Sequence, residues 1–243
     1  INAQKILLDH LEIGLWQMVA GGSLGGMQAL QWAVSYPNLV KRAAIIAASS
    51  TISSQNIALN EVAREIIRKD ENFAGGDYHL QNIKPKKGLK AARMLGHITY
   101  LSEANMRKRF GRKLQNPDTK IDDEVSYEVE NYLQYKGEQF SEAFDANSYI
   151  LMTKAMDSFD PAKDFNQDLV ECFKNIQAKL FIASFDSDWL FPKEYGKAIQ
   201  IAAIKAGVRS SYVEFEGDYG HDSFLFNSNN YATTLKNFLE SDE

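Results

Sequence analysis

The sequence predicts an α/β domain with a mostly parallel sheet and a long helical insertion. Short apolar runs at residues 16–20 and 43–48 flank a helix-like stretch, and an alternation of strands and helices returns late in the chain. The charged stretch between these parts has roughly 110 residues, a length that usually belongs to a lid or cap. The sequence therefore predicts a core of residues 1–51 and 164–243 and a helical lid of residues 52–163.

The two core segments alternate strands and helices. In the first segment, the run 16–20 ends at two glycines, a helix-like stretch precedes Pro37, and the run 43–48 is a second buried strand. Because the connections are short and pass through a helix, these strands are expected to be parallel. The second segment adds predicted strands at 179–184 and 211–215 and predicted helices at 194–206 and 231–239.

The insertion has the apolar spacing of amphipathic helices. This spacing occurs in three places, at Val62, Ile66 and Ile67, at Ala92, Leu95 and Ile98, and at Tyr149, Met152 and Met156.

The composition disfavours several classes of protein. The formal net charge of −5 argues against a nucleic-acid partner, since such proteins carry a basic face. No apolar run approaches the ~20 residues that span a bilayer, and the first residues do not resemble a signal peptide. The single cysteine, Cys172, allows no internal disulfide and is predicted to be a packed thiol. We expect a cytoplasmic protein without a nucleic-acid or membrane partner.

The glycine-rich turn at residues 21–25 fits the pattern G-x-S-x-G. In this pattern a serine lies on a tight strand-to-helix turn, with its hydroxyl exposed above the sheet. Ser23 is therefore predicted to be a nucleophile, and the Leu24 amide is predicted to donate to an oxyanion. A plain turn or a phosphate loop is the alternative, but the Gly-Lys-Ser/Thr sequence of a Walker loop is absent.

A serine nucleophile needs a base, and His221 is the predicted one. It lies in a loop after the last predicted strand, whereas His79 and His97 lie in the insertion, where a structural role is expected. In α/β-hydrolases an acid comes between the serine and the histidine in the chain. Asp186 and Asp188 both lie in the loop after the preceding strand, and spacing does not choose between them.

Five segments together resemble the homoserine O-acetyltransferases, a family of the α/β-hydrolase superfamily. They occur in the family's order over nearly the whole chain and include the nucleophile turn. The segments are residues 21–32, 92–102, 144–149, 187–192 and 219–225.

The resemblance implies an α/β-hydrolase core with a helical lid that also forms a homodimer. It implies acetyl transfer from acetyl-CoA to the hydroxyl of L-homoserine, in methionine biosynthesis, through an acyl-serine and ping-pong kinetics. It assigns the acid to Asp188 and the base to His221, and substrate binding to Arg93, Tyr100 and Asp222. Acetyl-CoA is then a co-substrate, and neither a bound cofactor nor a metal is expected.

The chain also departs from the family. A long N-terminal part that precedes the nucleophile strand in relatives, about a third of the protein, is not matched here. That part supplies the first strands of the sheet and the second oxyanion donor. We therefore expect a sheet that is incomplete on its N-terminal side and a chain that is not fully active alone.

Three alternative functions stay open at this stage. A succinyl donor is the first, although the neutral Leu190 beside the predicted acid favours acetyl. A carboxylester hydrolase is the second, although Arg93 and Asp222 would suit an amino-acid substrate. A non-catalytic fragment that folds and dimerises is the third.

Overall fold

The protein forms two compact units, which are interleaved in the chain. A computed structural model describes residues 1–116, 127–226 and 228–241. The first unit comprises Ile1–Thr51 and Phe159–Glu243, and the second comprises Ile52–Ser158. Residues 159–163, which the sequence assigned to the insertion, lie in the first unit, where the Cys172 thiol donates to the Pro161 carbonyl at 3.1 Å. Residues 117–126 of the predicted lid lie outside the described residues.

A four-stranded sheet forms the centre of the first unit. Its strands are β1 (Val19–Gly22), β2 (Arg42–Ile46), β3 (Lys179–Phe185) and β4 (Ser210–Phe215). They are parallel and lie in chain order. The parallel α/β prediction is therefore confirmed. β1 is the terminal strand in the described residues and hydrogen-bonds only to β2.

The first strand differs in extent from its prediction at residues 16–20. Trp16 makes only an isolated bridge to Val40, and regular pairing begins at Val19 and continues through both glycines. The strand thus extends through both glycines to the nucleophile turn, which begins directly after them. The neighbouring strand β2 ends at Ile46 because Ala47 has a φ of +45°, which breaks the extended conformation.

Ten α-helices surround the sheet or form the second unit in the described residues. None of these helices combines the length and apolarity that a membrane crossing requires. In chain order they are α1 (Asn2–His10), α2 (Leu24–Ser35), α3 (Ser54–Arg68), α4 (Lys86–Tyr100), α5 (Glu103–Arg109), α6 (Glu128–Ala143), α7 (Ala146–Asp157), α8 (Leu169–Phe173), α9 (Lys193–Lys205) and α10 (Asn229–Glu240).

Both faces of the two central strands, β2 and β3, are buried, as expected for parallel strands. Alternate residues of β3 point to opposite faces. On one face, Phe181 lies 5.3 Å from Phe238 of α10, measured between ring centroids. On the other face α9 approaches so closely that a Cβ at Gly196 would lie 2.3 Å from the Ser184 hydroxyl.

The second unit has its own apolar core. Ala63 and Ile67 of α3 and Leu89 and Ala92 of α4 are almost fully buried there, together with residues of the segment between these two helices and of α7. The predicted helical spacings at residues 62–67, 92–98 and 149–156 all fall on helices. However, Val62, Ile98 and Met152 are exposed, so the buried face of each helix includes only part of its predicted set. The role of this unit as a lid stays a prediction.

A buried arginine joins α3 to α7 in the second unit. Arg64 contacts Asp157 and Glu61, each at 2.7 Å, and Asn60 also donates to Asp157 at 2.7 Å. The side chain of Asp157 is 16% exposed and that of Glu61 is 49% exposed. Arg64 therefore has two carboxylate partners at the same distance, of which Asp157 is largely buried and Glu61 is exposed.

We expect Asp157→Ala to lower the free energy of unfolding by about 2 kcal/mol, because it leaves the Arg64 charge poorly compensated between two helices. Glu61→Ala should lower it much less, since water screens an exposed pair. Urea unfolding of both variants measures the difference. Equal losses would contradict the assignment of Asp157 as the structural partner.

Candidate active site

Ser23 lies at the turn between β1 and α2 in a strained backbone conformation. Its φ is +57° and its ψ is −123°, a region that residues with a side chain rarely adopt. Hydrogen bonds hold this conformation. The Ser23 N–H donates to the Ile46 carbonyl at 2.9 Å, and the Ser23 carbonyl accepts from Gly26 and Met27 at 2.9 and 3.1 Å.

The flanking glycines let the turn close. A Cβ at Gly21 would lie 2.3 Å from the backbone of Gly25, and a Cβ at Gly26 would lie 2.6 Å from the Ala48 Cβ. Both distances are shorter than any tolerable contact. By contrast, nothing lies within 4 Å of a Cβ at Gly25. The chain therefore needs glycine at positions 21 and 26 to bring the start of α2 against the sheet.

His221 contacts both the serine and an aspartate. It lies in a 3-10 helix, Gly220–Leu225, that follows β4. Its Nε2 is 2.8 Å from the Ser23 Oγ, and its Nδ1 is 2.8 Å from the Asp188 Oδ2. Because a carboxylate only accepts, the Nδ1 carries the proton and the Nε2 is free to accept from the serine hydroxyl.

The geometry selects Asp188 over Asp186 as the partner of His221. The second carboxylate oxygen of Asp188 accepts from the backbone N–H groups of Leu190 and Phe191 at 3.0 and 2.8 Å. Asp186 instead accepts from the Gly217 N–H at 2.9 Å, and this bond connects its loop to the segment that follows β4. Asp188 is therefore held in one orientation, with one oxygen left for the imidazole.

The histidine is enclosed by aromatic rings. His221 and Asp188 are each 3% exposed. The ring of Phe191 lies 5.1 Å and that of Phe224 lies 5.5 Å from the imidazole, measured between centroids. Both phenylalanines lie within the segments 187–192 and 219–225 that carry the family resemblance, but the sequence analysis assigned them no role. They shield two members of the hydrogen-bonded Ser23–His221–Asp188 relay, His221 and Asp188, from water, which strengthens the electrostatic interaction between them.

Two further predicted residues belong to the same end of the first unit. Leu24 is the first residue of α2, so its N–H is one of the first-turn donors that have no acceptor within the helix. It lies at the positive end of the helix dipole, next to Ser23. Asp222 is half-buried and directly follows His221. Their roles in oxyanion and substrate binding stay predictions.

Arg93 and Tyr100 lie on α4 in the second unit. The Arg93 guanidinium stacks on aromatic rings, 4.5 Å from the Phe140 centroid and 5.3 Å from the Tyr100 centroid. Within the described residues, no carboxylate forms an ion pair with Arg93. Stacking fixes the plane of a guanidinium and leaves its edge available for a bidentate bond to a carboxylate.

His97, on the same helix, is buried in the second unit. Its Nδ1 lies 3.3 Å from the Tyr132 hydroxyl, and its ring packs edge-on against Tyr100. Burial, with the positive charges of Arg93 and other nearby cations, lowers the pKa of His97 to about 4. His97 is thus neutral near pH 7 and supports the ring of Tyr100. No group of three metal-binding side chains occurs in the described ranges.

We expect Gly21→Ala to lower the free energy of unfolding by about 3 kcal/mol, because the added methyl group meets backbone that cannot move aside. Gly25→Ala should change stability by less than about 1 kcal/mol, towards greater stability, because alanine favours helix and has open space. Denaturant unfolding compares the two. Similar losses in both variants would contradict the close-approach account of the turn.

The comparisons with known proteins agree with this geometry. The model of a family described as the alpha/beta hydrolase fold matches residues 2–228. A homoserine O-succinyltransferase from Laribacter hongkongensis is 46% identical over 98% of this chain and 63% of its own length. The crystal structure of a homoserine O-acetyltransferase from Bacillus anthracis is 26% identical with a TM-score of 0.90, covering 99% of this chain and 64% of that one. The structure of esterase E22 is 25% identical with a TM-score of 0.86, covering 98% and 65%.

The chain thus spans less than two thirds of the length of these relatives. The family model, however, covers almost the whole chain. The parallel sheet, the strained serine turn and the order serine, aspartate, histidine are the features that this fold places together. The chain belongs to the α/β-hydrolase fold family.

Proposed function

We propose that the chain carries the catalytic centre of an acyltransferase that moves an acyl group from acyl-CoA to the hydroxyl of L-homoserine. The observation that carries this proposal is the Ser23–His221–Asp188 relay, with both hydrogen bonds at 2.8 Å. The names of the similar proteins from L. hongkongensis and B. anthracis support homoserine as the acceptor. The product belongs to methionine biosynthesis.

In the first half-reaction, Ser23 attacks the thioester. Its Oγ forms a bond to the carbonyl carbon while the hydroxyl proton passes to the Nε2 of His221. The Leu24 N–H donates to the oxygen that becomes negative. The carbon–sulfur bond then breaks, and the CoA sulfur leaves with the proton from His221. An acyl-serine remains.

In the second half-reaction, homoserine replaces CoA. His221 takes the proton from the homoserine hydroxyl, the hydroxyl oxygen attacks the acyl carbon, and Ser23 leaves with that proton. Water competes for the same acyl-serine, so transfer requires a dry site. The enclosure of His221 by Phe191 and Phe224 supports this requirement, and we propose that the helical unit acts as the lid.

The acceptor is a zwitterion and needs two charged contacts. We propose that Arg93 binds its carboxylate, that Asp222 pairs with its ammonium group, and that Tyr100 also takes part in substrate binding. The Arg93 guanidinium supports the first role, since it is stacked, has no carboxylate partner among the described residues, and presents a planar fork that matches a carboxylate.

The donor has two candidates, each favoured by an observation. The neutral Leu190 beside Asp188 favours acetyl-CoA, because a succinyl group would bring a carboxylate that needs a cation. The name of the L. hongkongensis relative, a succinyltransferase with 46% identity, favours succinyl-CoA. We propose a CoA thioester of one of these two acids as the donor.

A carboxylester hydrolase is the second candidate function. The structural similarity to esterase E22 favours it, since the same relay hydrolyses esters when water reaches the acyl-serine. The two functions differ in what accelerates turnover. A transferase depends on homoserine, whereas a hydrolase does not.

We propose a cytoplasmic homodimer formed through the helical unit. Leu151 and Met152 of α7 support it, because these large apolar side chains are 69% and 44% exposed.

The proposed function is tested by following release of free CoA from acetyl-CoA and, separately, from succinyl-CoA. We expect L-homoserine to accelerate release at least about tenfold for one donor, and Ser23→Ala to abolish release. Release at the same rate with and without homoserine would favour the hydrolase. Release that persists in Ser23→Ala would contradict both functions.

We expect Asp188→Asn to lower the turnover number by about 10³–10⁴, because an amide no longer holds His221 in the required tautomer. Asp186→Asn should stay within about threefold of the parent, because the amide oxygen still accepts from Gly217. The homoserine-dependent rates of the two variants are compared. Equal losses would contradict the selection of Asp188.

Arg93→Lys should raise the KM for homoserine at least about tenfold, because an ammonium group lacks the bidentate fork. The first half-reaction, acylation of Ser23, should stay unchanged because homoserine takes no part in it. Arg107→Lys is the matched control, since the Arg107 side chain is 73% exposed. An unchanged KM in Arg93→Lys would exclude Arg93 from the acceptor site.

A further inference from the structure

A concave basic pocket lies at the N-terminal edge of the sheet in the first unit. It has a volume of about 320 Å³, and its lining includes Lys41, Arg42, Lys179 and Arg209. The Ser23–His221–Asp188 relay lies at the opposite edge, because those residues follow the C-terminal ends of β1, β4 and β3. The basic pocket is therefore separate from the candidate active site.

The parallel sheet brings these cations together. Arg42 and Lys179 are the first residues of β2 and β3 and are register partners, so their side chains leave the same face. Lys41 directly precedes β2, and its carbonyl accepts from the Lys179 N–H at 2.9 Å. Arg209 directly precedes β4 and accepts in the same way from Leu180. Residues distant in the chain thus meet because parallel strands begin at one edge.

The positive charge of the pocket is not neutralised in the part of the chain that the structure describes. No carboxylate there lies within 4.0 Å of any of the four cations. Arg42 and Lys179 instead donate to neutral acceptors, the carbonyl and the hydroxyl of Ser241. Like charges directly opposite each other on neighbouring strands destabilise a sheet. The arrangement also runs against the overall charge of −5, so it does not follow from a basic composition.

One polar atom of the pocket lacks a partner. The Nε of Arg42 is buried and makes no hydrogen bond to the described residues. Buried donors of this kind are rare, because an unsatisfied polar group costs free energy and is usually bonded to a ligand or to water. An anion in the pocket would satisfy this donor and the surrounding positive charges together.

We propose that the basic pocket binds a phosphate-type oxyanion, either free phosphate or the phosphate group of a larger metabolite. Two guanidinium groups and two ammonium groups suit an oxyanion with several oxygens, because arginine contributes paired donors and lysine contributes compact charge. A ligand there is not consumed by the relay at the other edge. It stabilises the folded chain, since the strand starts converge only in the native state.

The test is thermal unfolding of the full chain titrated with inorganic phosphate at constant ionic strength, with chloride as the reference anion. We expect a saturable rise in Tm. The double variant Lys41→Gln, Arg209→Gln should weaken the apparent affinity at least about tenfold, since it removes two charged donors from exposed positions. Lys69→Gln combined with Lys205→Gln removes the same charge elsewhere and should leave the affinity unchanged. No saturable shift, or equal shifts in both double variants, would overturn the proposal.

Two further arms identify the source of the anion. Titration with glycerol 3-phosphate shows whether a phosphate monoester is preferred to free phosphate. Binding at least as tight as that of free phosphate supports the phosphate group of a larger metabolite as the ligand, and weaker binding supports free phosphate. Asp242 and Glu243 follow Ser241 in the sequence and lie outside the described residues. If phosphate binds only after Asp242→Asn and Glu243→Gln are introduced together, the chain's own carboxylates are the occupant and the proposal is wrong.

Discussion

The conformation of Ser23 is the constraint on which the candidate active site depends. Its positive φ turns the chain sharply from β1 into α2, and this places the Oγ within 2.8 Å of His221. Such a conformation costs roughly 1–3 kcal/mol and persists only where the surroundings enforce it. Here the surroundings are backbone hydrogen bonds from β2 and α2 and the close contacts that Gly21 and Gly26 permit. The strained conformation of Ser23 is therefore maintained by the packing of β1, β2 and α2.

The sheet also gives the first unit two electrostatically different edges. At the C-terminal edge, a carboxylate with both oxygens occupied orients one buried imidazole towards the serine. At the N-terminal edge, cations from the starts of three strands converge, and no carboxylate of the described residues pairs with them. Both arrangements follow from parallel pairing, because it collects like ends of strands that are distant in the chain. The same topology explains the candidate catalytic site and the basic pocket.

Much of this arrangement could be predicted from the sequence, and the rest depends on tertiary distances. The parallel sheet and the position of Ser23 followed from apolar runs and a five-residue pattern, both of which are local. Spacing could not separate Asp186 from Asp188, because they share one loop, and only the family resemblance chose Asp188. The basic pocket left no local signal, since Arg42 and Lys179 meet only through strand register. The burial that lowers the pKa of His97 was likewise invisible in its helix pattern.

The central claim is that Ser23 carries the acyl group between CoA and homoserine. It is tested most directly by the intact mass of the chain after incubation with acetyl-CoA or succinyl-CoA, before and after addition of L-homoserine. The account predicts an acyl adduct on Ser23, formed from one of the two donors, that disappears when homoserine is added. An adduct that also forms in Ser23→Ala, or one that homoserine does not remove, would contradict it.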